Sequence, residues 1–388
     1  MLRMFFPIIF SFFCISNLSA NGGDDQLRKK ADEIAKEILI IDTHIDLPLL
    51  LLQKDFDVTV ESNNGEFDLP RANKGGLNAA SMSIYTSSRT ENNGSFKRAD
   101  TLIYLVQQLE SKYPDKFTIA VSAEEVEQNF KKGIFSLPMG LENGSPLEGS
   151  LDKLHYFFNK GVRYITLCHV KDNHVCDSSG DTTNTWNGLS PFGESVVREM
   201  NKLGIMVDVA HVSDSSFYDV LRLSKVPVIV SHSGCRSLTP GFMRCMSDEM
   251  LKALAKNGGV VNIFFGSTLL NNNVRNEYEE WQKRRQEYLK IKDHGETQFA
   301  VENPINLGSI QDVIKHIDHA VKVAGIDHVG IGSDFDGVDL LAAEIKDVSM
   351  YPNIIYELLK LGYSEKDIRK IMGENFLRVW KTIDKNKG

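Results

Sequence analysis

This 388-residue chain has little cysteine, little proline and no block of basic charge. Its five cysteines, Cys14, Cys168, Cys176, Cys235 and Cys245, lack the spacing of a zinc knuckle. Thiolate-held structural zinc is therefore not expected. The prolines are scattered, and no Pro-rich or flexible linker divides the chain. The net charge of −8 is dispersed along the chain, which argues against a nucleic-acid partner. It speaks more to solubility than to any binding surface. Beyond the first twenty or so residues no run is long and apolar enough to cross a bilayer. Residues 379–388 lack the hydrophobic tail of a lipid-anchor signal. No Gly-rich phosphate-binding turn follows the first apolar run after residue 38, which disfavours a dinucleotide fold.

The N-terminus does contain an apolar stretch. Arg3 precedes the uncharged residues 5–13, and small and polar residues lead to Ala20. This predicts a secretory signal over residues 1–20, cleaved after Ala20. The apolar core is shorter than the ~20 residues of a membrane span, so export to the periplasm or medium is preferred to a retained anchor. Residues 21–388 are then one domain. In an exported chain disulfides are permitted, and a Cys235–Cys245 bridge is one candidate.

From residue 38 onward apolar runs alternate with amphipathic stretches. Candidate strands occupy residues 38–45, 77–85, 134–142, 162–169, 205–212, 226–232, 258–265 and 328–334. Helical patterns lie between most of them, and a closing helix covers 364–384. Eight β-then-α units predict a (β/α)8 TIM barrel of the metal-dependent hydrolase type. A doubly wound open sheet is the rival. Gly76, Gly161, Gly204, Gly258 and Gly325 stand where helix C-caps would precede strands. The segment 268–306 is an exception, being long, charged and partly helical over 275–292.

Strand ends carry the chemistry. His44 and Asp46 close the first apolar run two residues apart, a spacing that puts both on one face of a strand. Glu142, His169, His211, His232 and Asp334 end five later runs. In such barrels the working groups lie at the C-terminal ends of the strands. Any one of these residues alone is as easily a solvated loop residue. Together, three imidazoles and two carboxylates can hold two borderline divalent ions with one carboxylate bridging. Gly330, Gly332 and Asp334 share a face, and the glycines leave room below Asp334. Asp42 is a candidate acceptor behind a ligand imidazole, and Asp208 a structural hydrogen bonder. His316 and His319 read as a surface helix pair. His155, His174, His294 and His328 show no partner pattern.

The stretches Ile41–Pro48, Gly140–Gly144, Gly161–His169, Gly188–Gly193, Val207–Ser213, Pro227–Ser233 and Gly332–Gly337 together resemble the membrane dipeptidase (renal dipeptidase) family of amidohydrolase-like barrels. The resemblance spans residues 30–384. It implies that His44 and Asp46 bind one Zn2+, that His211 and His232 bind a second, and that Glu142 bridges them. It makes His169 the substrate-facing histidine that steadies the oxyanion, and Asp334 the acid/base residue. Arg244 becomes the partner of the dipeptide's C-terminal carboxylate, with Arg236 as rival. It also implies a homodimer and tolerance of a D-residue at the second position. The chain departs from the pattern after His169, where it reads Val170–Asp177 in place of Cys-Asn-Thr-Pro-Trp-Ala. It departs again after Glu142, where Asn143 replaces the usual glycine.

The expectation is an exported dinuclear zinc dipeptidase that uses a metal-bridging hydroxide. The alternatives are a deacetylase or lactonase on the same centre, and a barrel that binds metal without catalysis.

Overall fold

Ten short strands alternate with helices in the computed structural model, which describes residues 16–91, 93–291 and 296–388. The strands are β1 (Ile40–Ile45), β2 (Leu77–Tyr85), β3 (Phe117–Thr118), β4 (Phe135–Ser136) and β5 (Met139–Glu142). They continue with β6 (Val162–Thr166), β7 (Met206–Asp208), β8 (Ile229–Ser233), β9 (Val260–Ile263) and β10 (Val329–Ile331). Every pairing between them is parallel. The main circuit runs β1-β2-β5-β6-β7-β8-β9-β10, eight strands as the sequence predicts. Its seam is thin. Ile45 forms a single parallel bridge with Phe335. The Asp334 N–H donates to the His44 carbonyl at 3.0 Å, and the Asp46 N–H donates to the Phe335 carbonyl at 2.8 Å.

The strands differ from expectation in where they break and end. The strand predicted over 134–142 is broken at Leu137-Pro138 into β4 and β5, and both halves pair with β2. Pro138 has no N–H to give the ladder, but its carbonyl still accepts from Met82 at 2.8 Å. The strands expected over 205–212 and 328–334 end at Asp208 and Ile331. His211 (φ 67°) and Asp334 (φ 65°) lie past those ends in the left-handed region. That conformation cannot continue a ladder.

The helices follow their caps. Ser190, Ser213 and Ser247 each accept from the backbone N–H three residues on, and open helices Pro191–Leu203, Asp214–Leu223 and Asp248–Asn257. Gly204 and Gly258, at φ 78° and 84°, end two of them in a turn that a Cβ would strain. An unexpected helix, Ser16–Glu37, precedes β1 and lies against helix Tyr351–Lys360. Its buried Ala31, Ile34 and Ala35 sit at helical spacing. The expected cleavage point after Ala20 falls within this helix, and the apolar residues 5–13 lie outside the described residues. Segment 268–306 carries helices Asn272–Leu289 and Glu296–Glu302. Among the described residues no helix is long and apolar enough to cross a membrane.

Residues at the starts of the strands, Ile41, Met206, Ile229 and Val260, cluster with Phe376, Val379 and Trp380 of helix Asn375–Asn386. This closes the N-terminal mouth of the barrel with apolar side chains, and the opposite mouth is left for polar groups. Gly140 and Gly332 make the interior possible. A Cβ on Gly140 would fall 1.8 Å from the Tyr164 ring, and one on Gly332 would fall 2.0 Å from the Ser231 carbonyl.

Candidate metal centre

The sequence-predicted ligands converge at the C-terminal mouth. Glu142 ends β5 and lies at the middle of them. Its Oε2 is 3.3 Å from His44 Nε2. Its Oε1 is 3.3 Å from His211 Nε2 and 3.6 Å from His232 Nε2. One carboxylate therefore turns each oxygen to a different set of imidazoles. Asp46 Oδ2 lies 3.6 Å from His44 Nε2, and His211 Nε2 lies 2.9 Å from His232 Nε2. Asp46 is not in the strand. It precedes helix Leu47–Gln53 with ψ 22°, so it meets His44 through a turn rather than through strand parity.

His169 Nε2 is 3.6 Å from Glu142 Oε1, and Asp334 Oδ1 is 3.9 Å from His44 Nε2. Gly337 keeps this corner open, because a Cβ there would fall 2.2 Å from Asp46 Oδ2 and 2.6 Å from Asp334 Oδ1.

These groups fit a cation. His44 Nε2 and Asp46 Oδ1 are buried without a hydrogen-bond partner, which is costly unless a ligand completes them. Ligand atoms of His44, Asp46 and Glu142 lie within 4.8 Å of one another, as do those of Glu142, His169 and His211. Imidazole with carboxylate suits a borderline divalent ion. Burial, with Arg244 adding its charge, holds the His211 imidazole well below its usual range and so keeps it neutral. Burial does the same for His232, with His44 and Arg244 contributing. Burial opposes ionisation of Glu142, yet His44, His211 and His169 hold its carboxyl well below the ordinary range. Asp334 goes the other way, pushed up by burial and by the charges of Asp46 and Glu142. A bound cation acts in the opposite sense.

The partners behind the ligands were not legible in the sequence. Tyr164 Oη lies 3.0 Å from His44 Nδ1 and donates to the Thr43 carbonyl at 3.1 Å. Its one proton is used there, so His44 Nδ1–H must donate to Tyr164. Nε2 is then the atom that offers its lone pair to a cation; otherwise burial is outweighed by Tyr164, Glu142 and Asp46, which hold the His44 imidazole well above its usual range. The same logic fixes His232. The Ser231 hydroxyl donates to Asp208 Oδ2 at 2.6 Å and lies 2.8 Å from His232 Nδ1. Asp208 is thus a structural hydrogen bonder, as expected. Ser83 donates to Glu142 Oε2 at 2.9 Å. Asp42 corrects its expected role. It accepts the backbone N–H of His44 at 3.0 Å and of Ser333 at 2.9 Å, together with the Tyr351 hydroxyl, and it touches no ligand imidazole.

The remaining candidates separate clearly. Arg244 Nη2 donates to the His232 carbonyl at 2.9 Å, and its Nη1 is buried with no hydrogen-bond partner. It lines a cavity of about 450 Å³ with His169, His211 and Asp334. Arg236 is instead spent on Asp214, with two hydrogen bonds of 2.8 and 2.7 Å. A larger cavity of about 750 Å³ lies among Glu125, Arg163, Lys381 and Asp384 and contains none of the ligands. Cys168, Cys176, Cys235 and Cys245 are all free and buried, so the candidate Cys235–Cys245 bridge is not formed. His316 is not a surface residue. It is buried, with Nδ1 accepting the Cys235 N–H at 2.8 Å and Nε2 facing the Leu270 carbonyl at 3.0 Å. His319 pairs with Asp248 at 2.8 Å. His174, unassigned from sequence, pairs with Glu91 at 2.6 Å and ties the loop after β6 to the loop after β2. His155 lies 3.2 Å from Glu199, and His328 Nδ1 lies 2.8 Å from the Gly259 carbonyl. His294 lies outside the described residues. Asn143 has φ 83°, which explains why the resembling family places glycine there.

Residues 28–388 match the family described as membrane dipeptidase, peptidase family M19. The probable dipeptidase PvdM from Pseudomonas aeruginosa is similar in structure, with 27% identity and a TM-score of 0.81, covering 93% of this chain and 99% of that one. A metallo peptidase from Rhodobacter sphaeroides, liganded with a phosphinate mimic of the dipeptide L-Ala-D-Ala, has 24% identity and a TM-score of 0.75, covering 89% and 99%. An amidohydrolase from Pseudomonas aeruginosa has 23% identity and a TM-score of 0.72, covering 91% and 98%. The latter two likenesses bear on the fold.

Proposed function

The chain belongs to the membrane dipeptidase family and is a metallo-dipeptidase, and from that premise we propose that it works outside the cytoplasm with two zinc ions, cleaving free dipeptides. The observation that carries the two-ion reading is Glu142, whose two oxygens face different imidazoles at 3.3 Å each. His44 and Asp46 would hold one ion, His211 and His232 the other, with Glu142 between them. Bound there, the ions supply carbonyl polarisation and an activated water at neutral pH.

The protein's own groups do the rest. His169 reaches the same oxygen of Glu142 as His211 does, so it can donate to negative charge developing on the scissile carbonyl oxygen. Asp334 borders both the cavity and His44. It takes a proton from the attacking water and delivers it to the leaving nitrogen. Arg244 pairs its free Nη1 face with the C-terminal carboxylate. That pairing restricts the enzyme to very short peptides.

The L-Ala-D-Ala mimic on the Rhodobacter sphaeroides relative supports including D-residues at the second position. The pattern of residues 1–20 supports export, and a homodimer belongs to the same family-based reading.

A panel of L,L- and L,D-dipeptides tests this, assayed with and without chelator and alongside a direct count of bound metal. Hydrolysis that disappears on chelation and returns with two equivalents of zinc is expected. Turnover of N-acetylated substrates or lactones, with no dipeptide cleaved by the loaded protein, would refute it.

A further inference from the structure

The cavity beside the ligands has an apolar side that the chemistry above does not use. Phe242, Met243, Leu269 and Val338 line it together with Arg244. Phe242 and Met243 immediately precede Arg244 in the loop after β8. Leu269 comes from the short helix Ser267–Leu270 after β9. Arg275, in the first turn of helix Asn272–Leu289, joins the two. Its guanidinium carbon lies 3.7 Å from the centre of the Phe242 ring. Its Nε donates to the Thr268 carbonyl at 2.8 Å and its Nη1 to Asn272 Oδ1 at 2.8 Å. A cation over an aromatic face, itself held by hydrogen bonds, fixes that ring in place. The stem of the loop is pinned as well. The Arg236 N–H donates to the Met246 carbonyl at 2.7 Å, and the Met246 N–H donates to the Gly234 carbonyl at 3.0 Å.

On a dipeptide the C-terminal carboxylate and the C-terminal side chain branch from one carbon. With the carboxylate on Arg244, that side chain lies against the neighbours of Arg244 in the cavity. Resting on the dipeptidase reading, we infer that this wall selects dipeptides whose C-terminal residue is apolar and of leucine, methionine or phenylalanine size. An acidic side chain would lose water against Phe242, Met243 and Leu269 without gaining a partner. It would also meet Asp339, which borders the same cavity.

The test compares kcat/KM for Ala-Leu, Ala-Phe, Ala-Gly and Ala-Glu, each chiral second residue in both configurations, on the zinc-loaded full chain. Ala-Leu should exceed Ala-Glu at least about tenfold, since single apolar groups in a pocket discriminate on that scale. Met243 is 47% exposed, so Met243→Lys keeps the fold and should lower the Leu-to-Glu ratio about tenfold. Arg275→Met should raise KM for Ala-Leu more than for Ala-Gly and leave kcat in place, because Arg275 touches the Phe242 ring, the Thr268 and Leu269 carbonyls and Asn272, and none of the candidate ligands. A flat or reversed preference, or an unchanged ratio in Met243→Lys, overturns the inference and leaves the dipeptidase reading standing. No hydrolysis of any member overturns both.

Discussion

Replacing Tyr164 by phenylalanine removes one oxygen from behind the metal centre and little else. The ring stays where it is, because Gly140 leaves a slot only the ring fills: a Cβ there would fall 1.8 Å from it. The loss is the acceptor for His44 Nδ1–H, 3.0 Å away, and the donor to the Thr43 carbonyl, 3.1 Å away. His44 is fully buried, so no water replaces the lost oxygen. A buried donor left unpaired costs about 1–3 kcal/mol. The imidazole is also no longer held in the tautomer that bares Nε2. Losing such a partner weakens metal affinity about 10–100-fold, which is about 1.4–2.7 kcal/mol of binding free energy. The effect should fall on the ion held by His44 and Asp46 and spare the one held by His211 and His232. Zinc titration against a competing chelator reads this as one weakened step of two. Denaturant unfolding of the metal-free protein reads the cost to the fold separately. A folded Tyr164→Phe protein with two unchanged zinc affinities would refute the tautomer argument.

The mirror experiment is Ser231→Ala, which cuts the link from Asp208 to His232 and should weaken the other ion by a similar factor of about 10–100, read in the same titration. Arg244→Ala should raise KM for free dipeptides at least tenfold with metal content unchanged, whereas Arg236→Ala should lower stability by breaking its pair with Asp214 and its hydrogen bonds to the Met243 and Cys245 carbonyls, and raise KM by no more than about threefold. These tenfold and threefold bounds correspond to about 1.4 and 0.7 kcal/mol, and steady-state kinetics beside thermal unfolding separates the two arginines. Asp334→Asn should retain both ions and lose at least about 100-fold in kcat, the scale of a lost proton carrier; full turnover with full metal would remove its proposed role. Burial pushes the His316 imidazole down to about 4, and its Nδ1 already accepts the Cys235 N–H, so the folded state disfavours the protonated ring. Between pH 6.5 and 4 the unfolded chain binds the extra proton, so stability falls with pH across that window, by up to about 3 kcal/mol from this residue. Denaturation midpoints measured across that range should flatten in His316→Gln.

The barrel and its candidate ligands could be read from the chain because both are written in periodicity. An apolar run ending in His, Asp or Glu marks a strand end whatever its neighbours are. The expected run over 134–142 passed straight through Pro138, because apolar pattern alone does not register a missing N–H. The helix Ser16–Glu37 is hidden in the sequence because its many charges mask the stripe of Ala31, Ile34 and Ala35. Tyr164, Ser231 and Ser83 were invisible for a different reason. Strand register, not sequence distance, brings Tyr164 to His44 and Ser83 to Glu142, and it brings Ser231, the neighbour of His232, to Asp208. The one sequence signal was Gly140, a residue without a side chain in an otherwise apolar strand, opposite an aromatic that needs the space. Arg244 could be told from Arg236 only once Asp214 was seen to hold the latter.

The thin seam bears on how the enzyme comes into being. First and last strands meet through one bridge, two backbone hydrogen bonds, the Asp42 carboxylate and the hydroxyls of Thr43 and Ser333, and the candidate centre lies across that junction, with His44 on one side and Asp334 on the other. A ribosome delivers these two sides at opposite ends of synthesis. The half-made chain therefore carries His44, Asp46 and Glu142 of the candidate site without Asp334. The candidate centre is complete only once the eighth unit lies beside the first. Cations captured at that moment would rivet the join, so the catalytic centre doubles as the clasp that keeps the barrel from reopening.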